Sequence, residues 1–166
     1  MRINTTFAAI LALGGAVVAA AATSPIFADG LRARPVQDAL TRKECGACHM
    51  VYPAGLLPAR SWRAMMGGLD DHFGDNASLD EAATQKIAAY LEANAADAGG
   101  ARSAKILRDL DAAAAPLRVT ETPFWKRKHE KRDRVAAATL KRKGAKSKSD
   151  CKACHEGAEQ GVFEDD

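Results

Sequence analysis

The chain has 166 residues, four cysteines, 5% aromatic side chains and a formal net charge of +3. That length excludes large multidomain machinery, and the composition excludes a long disordered or collagen-like chain. Much of the 47% hydrophobic content is alanine, so few bulky apolar side chains are present to fill a core, and chains this small usually need a covalent or metal staple.

The first element in chain order is a targeting segment. Arg2 precedes a charge-free run from Ala8 to Ala22, followed by Pro25 and the small residue Ala28. This pattern predicts a secretory signal over residues 1–28, with Ile26 at a position where a small residue is usual. The run is shorter than the ~20 residues a spanning helix needs, so the mature chain, residues 29–166, is expected to be exported and not membrane-spanning. A helix is expected over Val36 to Glu44, running into Cys45-Gly-Ala-Cys48-His49. A loop from Val51 to Arg60 holds Pro53, Gly55 and Pro58, and a carbonyl there is expected to accept the His49 imidazole N–H. Trp62, Met65, Met66, Leu69, His72 and Phe73 recur at three- and four-residue steps. They predict one amphipathic helix that carries His72, with Ser61 as its cap and Gly74 as its stop.

Ser78 and Glu81 read as a capping box for a helix to about Asn94 that turns Leu79, Ala82, Ala83, Ile87, Tyr90 and Leu91 inward. Gly99-Gly100 marks a seam. Beyond it a helix is expected from about Ala101 to Ala114. Thr122-Pro123 then reads as cap and first-turn proline of a helix with Trp125 one turn before His129. A short helix around Val135 to Leu140 and the motif Cys151-Lys-Ala-Cys154-His155 close the chain. No convincing β-type alternation occurs. The expected fold is all-α with long loops, in two halves over residues 29–100 and 101–166, each holding one of the two cysteine pentapeptides.

The haem reading rests on the two pentapeptides, which use every cysteine. C-x-x-C-H is the attachment motif of c-type haem: two sulfurs three residues apart reach the two porphyrin vinyl groups, and the adjacent histidine reaches the iron. Structural disulfides would leave both histidines unexplained, and so would a zinc site, whose two cysteine pairs stand 102 residues apart. A thioredoxin-like dithiol would come with a strand and helix alternation that is missing. Two covalent haem c groups are therefore expected, attached at Cys45, Cys48, Cys151 and Cys154, with His49 and His155 as proximal ligands. Of four histidines, His72 and His129 remain for the two distal positions, and sequence order assigns His72 to the first haem. The rival ligands are Met50, Met65 and Met66. A methionine at helical spacing is more often core filler, and none follows Met66.

Longer stretches carry a resemblance: Glu44 to His49, Tyr52-Pro-Ala-Gly-Leu-Leu-Pro-Ala-Arg-Ser-Trp62, His72-Phe-Gly-Asp-Asn-Ala-Ser78, Thr122-Pro-Phe-Trp-Lys-Arg-Lys-His129, and Cys151 to Phe163. Together they resemble the small bacterial dihaem cytochromes c over nearly the whole mature chain. The resemblance implies a first half like a monohaem cytochrome c and a second half of less usual shape. It also implies bis-histidine ligation through His49, His72, His129 and His155. Redox partners it implies are an oxygen-binding monohaem cytochrome or a membrane b-type cytochrome.

Charge is unevenly spread. Residues 29–100 hold 7 basic and 10 acidic side chains, whereas residues 101–166 hold 16 and 11. Within 126–152 there are 12 basic against 3 acidic. Nucleic acid is discounted as a partner because an exported haem protein meets little of it. A solvated face is the plain reading of this run, and the functional one is a basic docking patch that steers an acidic redox partner or an anionic membrane surface to the second haem. The expected function is a periplasmic electron carrier that is not an enzyme. The alternative is a haem enzyme or small-ligand-binding protein with one labile axial position.

Overall fold

The computed structural model describes residues 30–99, 101–130 and 134–164; the expected signal segment, Gly100 of the expected seam and residues 131–133 of the basic run lie outside them. The architecture is all-α. Six helices are described: α1 (Ala39–Cys45), α2 (Ala59–Met66), α3 (Glu81–Ala93), α4 (Ala101–Leu107), α5 (Pro123–His129) and α6 (Ala137–Lys143). They are joined by 3₁₀ turns and long loops.

Helix α1 begins where Asp38 accepts hydrogen bonds from the Thr41 backbone N–H and hydroxyl, both at 2.7 Å. Its end coincides with the first cysteine. Gly46 follows because a Cβ there would lie 2.4 Å from the Arg42 carbonyl oxygen, a distance no side chain tolerates. Helix α2 starts after Pro58, not at a Ser61 cap; Ser61 is fully buried inside the helix. The orphan Ala59 N–H at the start of α2 is satisfied by the Asp97 carboxylate at 2.7 Å, contributed from beyond α3.

The expected continuous helix to His72 does not form. Helix α2 stops at Gly67, and two adjacent glycines weaken any continuation. A 3₁₀ turn over Leu69–Asp71 follows, and His72 sits in a tight turn closed by its own backbone pairing with Asp75. Phe73 (φ 62°) and Gly74 (φ 101°) make that turn. Helix α3 is capped by Asp80, which accepts from Ala83 N–H at 2.8 Å. Ser78 instead donates its own N–H to Asn76, so the Ser78–Glu81 capping box is absent. Ile87 and Leu91 point inward, whereas Ala82 is exposed.

Two apolar clusters hold the chain together. The first packs Trp62 and Met66 of α2 against Ile87 and Leu91 of α3, with Ala54, Leu57 and Ala95. The buried Trp62 indole N–H donates to the Ala54 carbonyl at 2.7 Å, so this large side chain brings no unpaired donor into the core. The second cluster joins Leu56 and Ala96 to Ile106 of α4 and Phe124 of α5.

Helix α4 ends at Leu107 instead of reaching Ala114. There the Asp111 carboxylate accepts the Ala113 N–H at 2.7 Å, a local bond that competes with the helical one. Helix α5 starts as its sequence predicts: Thr122 accepts the Trp125 N–H, with Pro123 in the first turn. Helix α6 lies two to three residues later than expected and stops at Gly144 (φ 68°), with Lys141, Arg142 and Lys143 in its last turn. A short antiparallel ladder went unexpected. Leu31–Arg32 (β1) pairs with Val162–Phe163 (β2), so the start and end of the described chain lie side by side.

Candidate functional site

The first motif opens on the last residue of α1 and runs into a loop. His49 Nδ1–H donates to the carbonyl of Met50 at 2.6 Å, one residue before the loop expected to supply the acceptor. That bond fixes the tautomer and leaves Nε2 as the free base. The His72 turn brings its imidazole to His49, with ring centroids 6.2 Å apart and planes at 22°. Burial first, then the neighbouring His49 and Arg118, lowers the His72 pKa, which favours the neutral imidazole a metal requires.

The second motif is built differently. Cys151 opens a 3₁₀ turn, and His155 N–H closes it on the Cys151 carbonyl at 2.8 Å. His129 ends α5, where its Nδ1–H donates to the Trp125 carbonyl one turn back at 2.9 Å. The Trp125 indole stacks on it, with centroids 4.3 Å apart and planes at 10°. His129 faces His155 at 6.1 Å, with planes at 86°. The structure thus brings His49 to His72 and His129 to His155.

These spacings test the fit to a haem iron. An imidazole nitrogen bonds a metal at about 2 Å and sits about 1.1 Å from its ring centroid, so two axial imidazoles place their centroids about 6.2 Å apart. Both pairs meet that requirement. The cysteines fit the same chemistry. All four are free, which removes the disulfide alternative. Burial, with Asp150 beside it, pushes the Cys151 thiol up to about 11, and burial with Glu44 raises Cys45. Thiols held protonated in this way are poor redox dithiols. Among the described residues no three His, Cys, Asp or Glu side chains converge as a direct metal site. Of the rival ligands, Met66 is buried in the first core cluster and Met50 is buried beside its own proximal histidine. Met65 lines an open cavity of about 570 Å³ next to His72, together with Asp70, Phe73, Leu117 and Arg118.

Three contacts were not visible in the sequence. Tyr52 lies 5.2 Å from the His49 ring and donates its hydroxyl to the Ser149 carbonyl at 2.6 Å, two residues before Cys151. Arg118 places its guanidinium 3.7 Å from the Phe73 ring, beside His72. Phe163 of β2 meets His155 edge-on at 5.7 Å. Only the three-residue step from His49 to Tyr52 hinted at any of them.

A family model described as dihaem cytochrome c matches residues 41–163. The chain belongs to the dihaem cytochrome c family. Among solved structures it is similar to the diheme cytochrome c from Rhodobacter sphaeroides, with 53% identity over 79% of this chain and 100% of that one, at a TM-score of 0.71. It is also similar to the diheme cytochrome type c from Shewanella baltica OS155, with 39% identity over 78% and 89% of the two chains, at a TM-score of 0.59. No curated protein matches the chain. A dihaem cytochrome c carries two haem groups, and the two histidine pairs are where this one has the geometry to receive them. Among the described residues no helix is long and apolar enough to cross a membrane.

Proposed function

We propose that this dihaem cytochrome c is an electron carrier in which each iron has two histidine ligands. His49 and His72 serve one, and His129 and His155 the other, with thioethers at Cys45, Cys48, Cys151 and Cys154. The observation that carries the reading is the pair of imidazole separations, 6.2 and 6.1 Å, each matched to a six-coordinate iron. When bound, haem supplies reversible one-electron chemistry at iron. The chain's own residues fill both axial positions and set the basicity of His49 and His129 through the Met50 and Trp125 carbonyls.

Partner recognition is proposed to use the second half. Lys141–Lys143 and Lys146 are exposed, and Lys148 lies 5.9 Å from the centroid of the Trp125 ring that stacks on His129. An acidic redox protein fits this face; the resemblance offers an oxygen-binding monohaem cytochrome or a membrane b-type cytochrome. Lower electron-transfer rates at high salt are expected, and salt-independent rates would remove the docking role. The periplasm is the proposed compartment, from the sequence of residues 1–28.

One observation favours a second reading, a labile axial position at the first haem. His72 sits on a turn beside the open cavity, and its buried Nδ1 has no hydrogen-bond partner among the described residues. Low-temperature electron spin resonance of the haem-loaded protein, with His72→Met and His129→Met, tests the ligand assignment. Each substitution is expected to remove one low-spin signal, and two unchanged signals would refute it. Fast, stoichiometric carbon monoxide binding to the reduced protein would favour the second reading over the carrier.

A further inference from the structure

The two histidine pairs differ in one respect beyond sequence position. The His49 and His72 planes are 22° apart, close to parallel. The His129 and His155 planes are 86° apart, close to perpendicular. When both rings of a pair bind one iron, this angle is the twist between the two axial ligands.

The crossed arrangement has a visible cause. His129 is held at two points by one residue: the Trp125 indole lies parallel to its face at 4.3 Å, and the Trp125 carbonyl accepts its Nδ1–H at 2.9 Å. A stacked ring opposes tilt, and a bond at Nδ1 opposes rotation about the Cβ–Cγ bond. Trp125 is itself buried, at 5% exposure, and its position follows from the Thr122 cap of α5. In the first pair the Met50 carbonyl likewise holds His49 Nδ1–H, at 2.6 Å, but Tyr52 is tilted 48° from His49 and Phe73 is tilted 53° from His72, so neither ring rests on one of these parallel faces.

We infer that Trp125 is a positioning residue that holds His129 crossed against His155 and gives the second haem an electronic ground state unlike the first. The inference rests on the axial assignment above. Its chemistry is that of orbital overlap. Parallel imidazoles direct their π orbitals at the same iron d orbital and split the dxz and dyz pair. Crossed imidazoles address one member each and leave the pair nearly degenerate. A ferric low-spin iron with a split pair shows three resolved g values. With a nearly degenerate pair it shows a single, strongly anisotropic feature at low field. A side chain that orients a ligand therefore tunes the iron without touching it.

Electron spin resonance of the fully oxidised, haem-loaded protein at low temperature tests this. Two signals of equal spin are expected, one rhombic and one strongly anisotropic. Trp125→Leu removes the stacking face and should shift the anisotropic signal toward the rhombic form while leaving the other in place. Trp125→Phe keeps a smaller ring in the core and should shift it part of the way. A merely structural role would lower the intensity of a signal without moving its g values. Two superposable rhombic signals in the wild type overturn the inference, and that spectrum decides the matter even if the leucine variant does not load. An unmoved anisotropic signal in both Trp125 variants overturns the positioning role. His129→Met separates the two levels of the argument. If it leaves the anisotropic signal intact, the axial assignment falls; if it abolishes the signal while the Trp125 variants do not shift it, the assignment stands and the role of Trp125 falls.

Discussion

Tyr52 is the point at which the polypeptide around one haem site grips the polypeptide around the other. Replacing it with phenylalanine removes one oxygen atom and leaves the ring beside His49. The lost bond is short, 2.6 Å, and its acceptor is the Ser149 carbonyl just ahead of Cys151. A neutral hydrogen bond of this kind contributes about 0.5–1.5 kcal/mol net, and stranding a part-buried carbonyl argues for the upper half of that range. Tyr52→Phe is therefore expected to lower the unfolding free energy of the haem-loaded protein by about 1 kcal/mol at pH 7. Denaturant titration followed by circular dichroism should show a lower midpoint and an unchanged slope.

The same hydroxyl has a pH signature. Burial above all, with Asp150 nearby, pushes the Tyr52 phenol from its ordinary 10.0 up to about 12. A folded pKa above the unfolded one means the proton is held more tightly in the native state. The resulting stability is complete below pH 10 and is lost as pH rises through about 12. The gap between wild type and Tyr52→Phe should thus be constant at neutral pH and narrow across that alkaline window. Equal midpoints at pH 7, or a gap that does not narrow, would refute the view that this hydroxyl fastens the two sites together.

Two further substitutions probe the helices that deliver the motifs. Thr122→Ala removes a fully buried cap whose oxygen accepts the Trp125 N–H at 3.2 Å and whose hydroxyl donates to Val119 at 2.7 Å. A loss of about 1–2 kcal/mol in unfolding free energy is expected, read as a lower unfolding midpoint, with faster amide exchange confined to α5. Asp38→Asn keeps an acceptor at the start of α1 but removes its titration. The Thr41 backbone N–H, then the Thr41 hydroxyl, holds the Asp38 carboxyl below 3.8. Its contribution is present above the unfolded value and lost as pH falls through the lower folded one. The stability curves of wild type and variant should converge in acid, and parallel curves would exclude the carboxylate as the source.

The sequence made the haem chemistry readable because thioether attachment and proximal ligation are written in five contiguous residues. The start of α5 was readable for a similar reason: Thr122 and Pro123 act within one helical turn. His72 shows where such reading stops. Its apolar neighbours keep helical spacing through Leu69 and Phe73, yet Gly67 and Gly68 end the helix, and periodicity alone does not register that cost. The cap of α3 was misread because Ser78 and Asp80 both qualify, and the choice follows from Ser78 being engaged by Asn76. The β1–β2 ladder is two residues long on each side, too short to alternate visibly. Long-range contacts leave no local trace at all. Tyr52 and Ser149 are 97 positions apart, and the Arg60 guanidinium reaches the Ala114 carbonyl across 54.

Those long-range contacts make the two sites reciprocal. Phe73 holds a left-handed backbone, a conformation that costs a bulky residue about 1–3 kcal/mol. That turn is what aims His72 at His49. Part of the compensation is local: the His72 N–H donates to the Asp75 carbonyl at 2.7 Å, a bond of about 1 kcal/mol. The rest comes from across the molecule, where Arg118 lies 3.7 Å from the Phe73 ring centroid; such a half-exposed cation–π contact adds about 0.5–1 kcal/mol. The first site therefore depends on a residue placed beyond α4, and the second depends on Tyr52, placed just after the first motif. The proposed carrier role needs the separation and orientation of the two haems held constant. Here each site lends the other one side chain, so loosening either would disturb both.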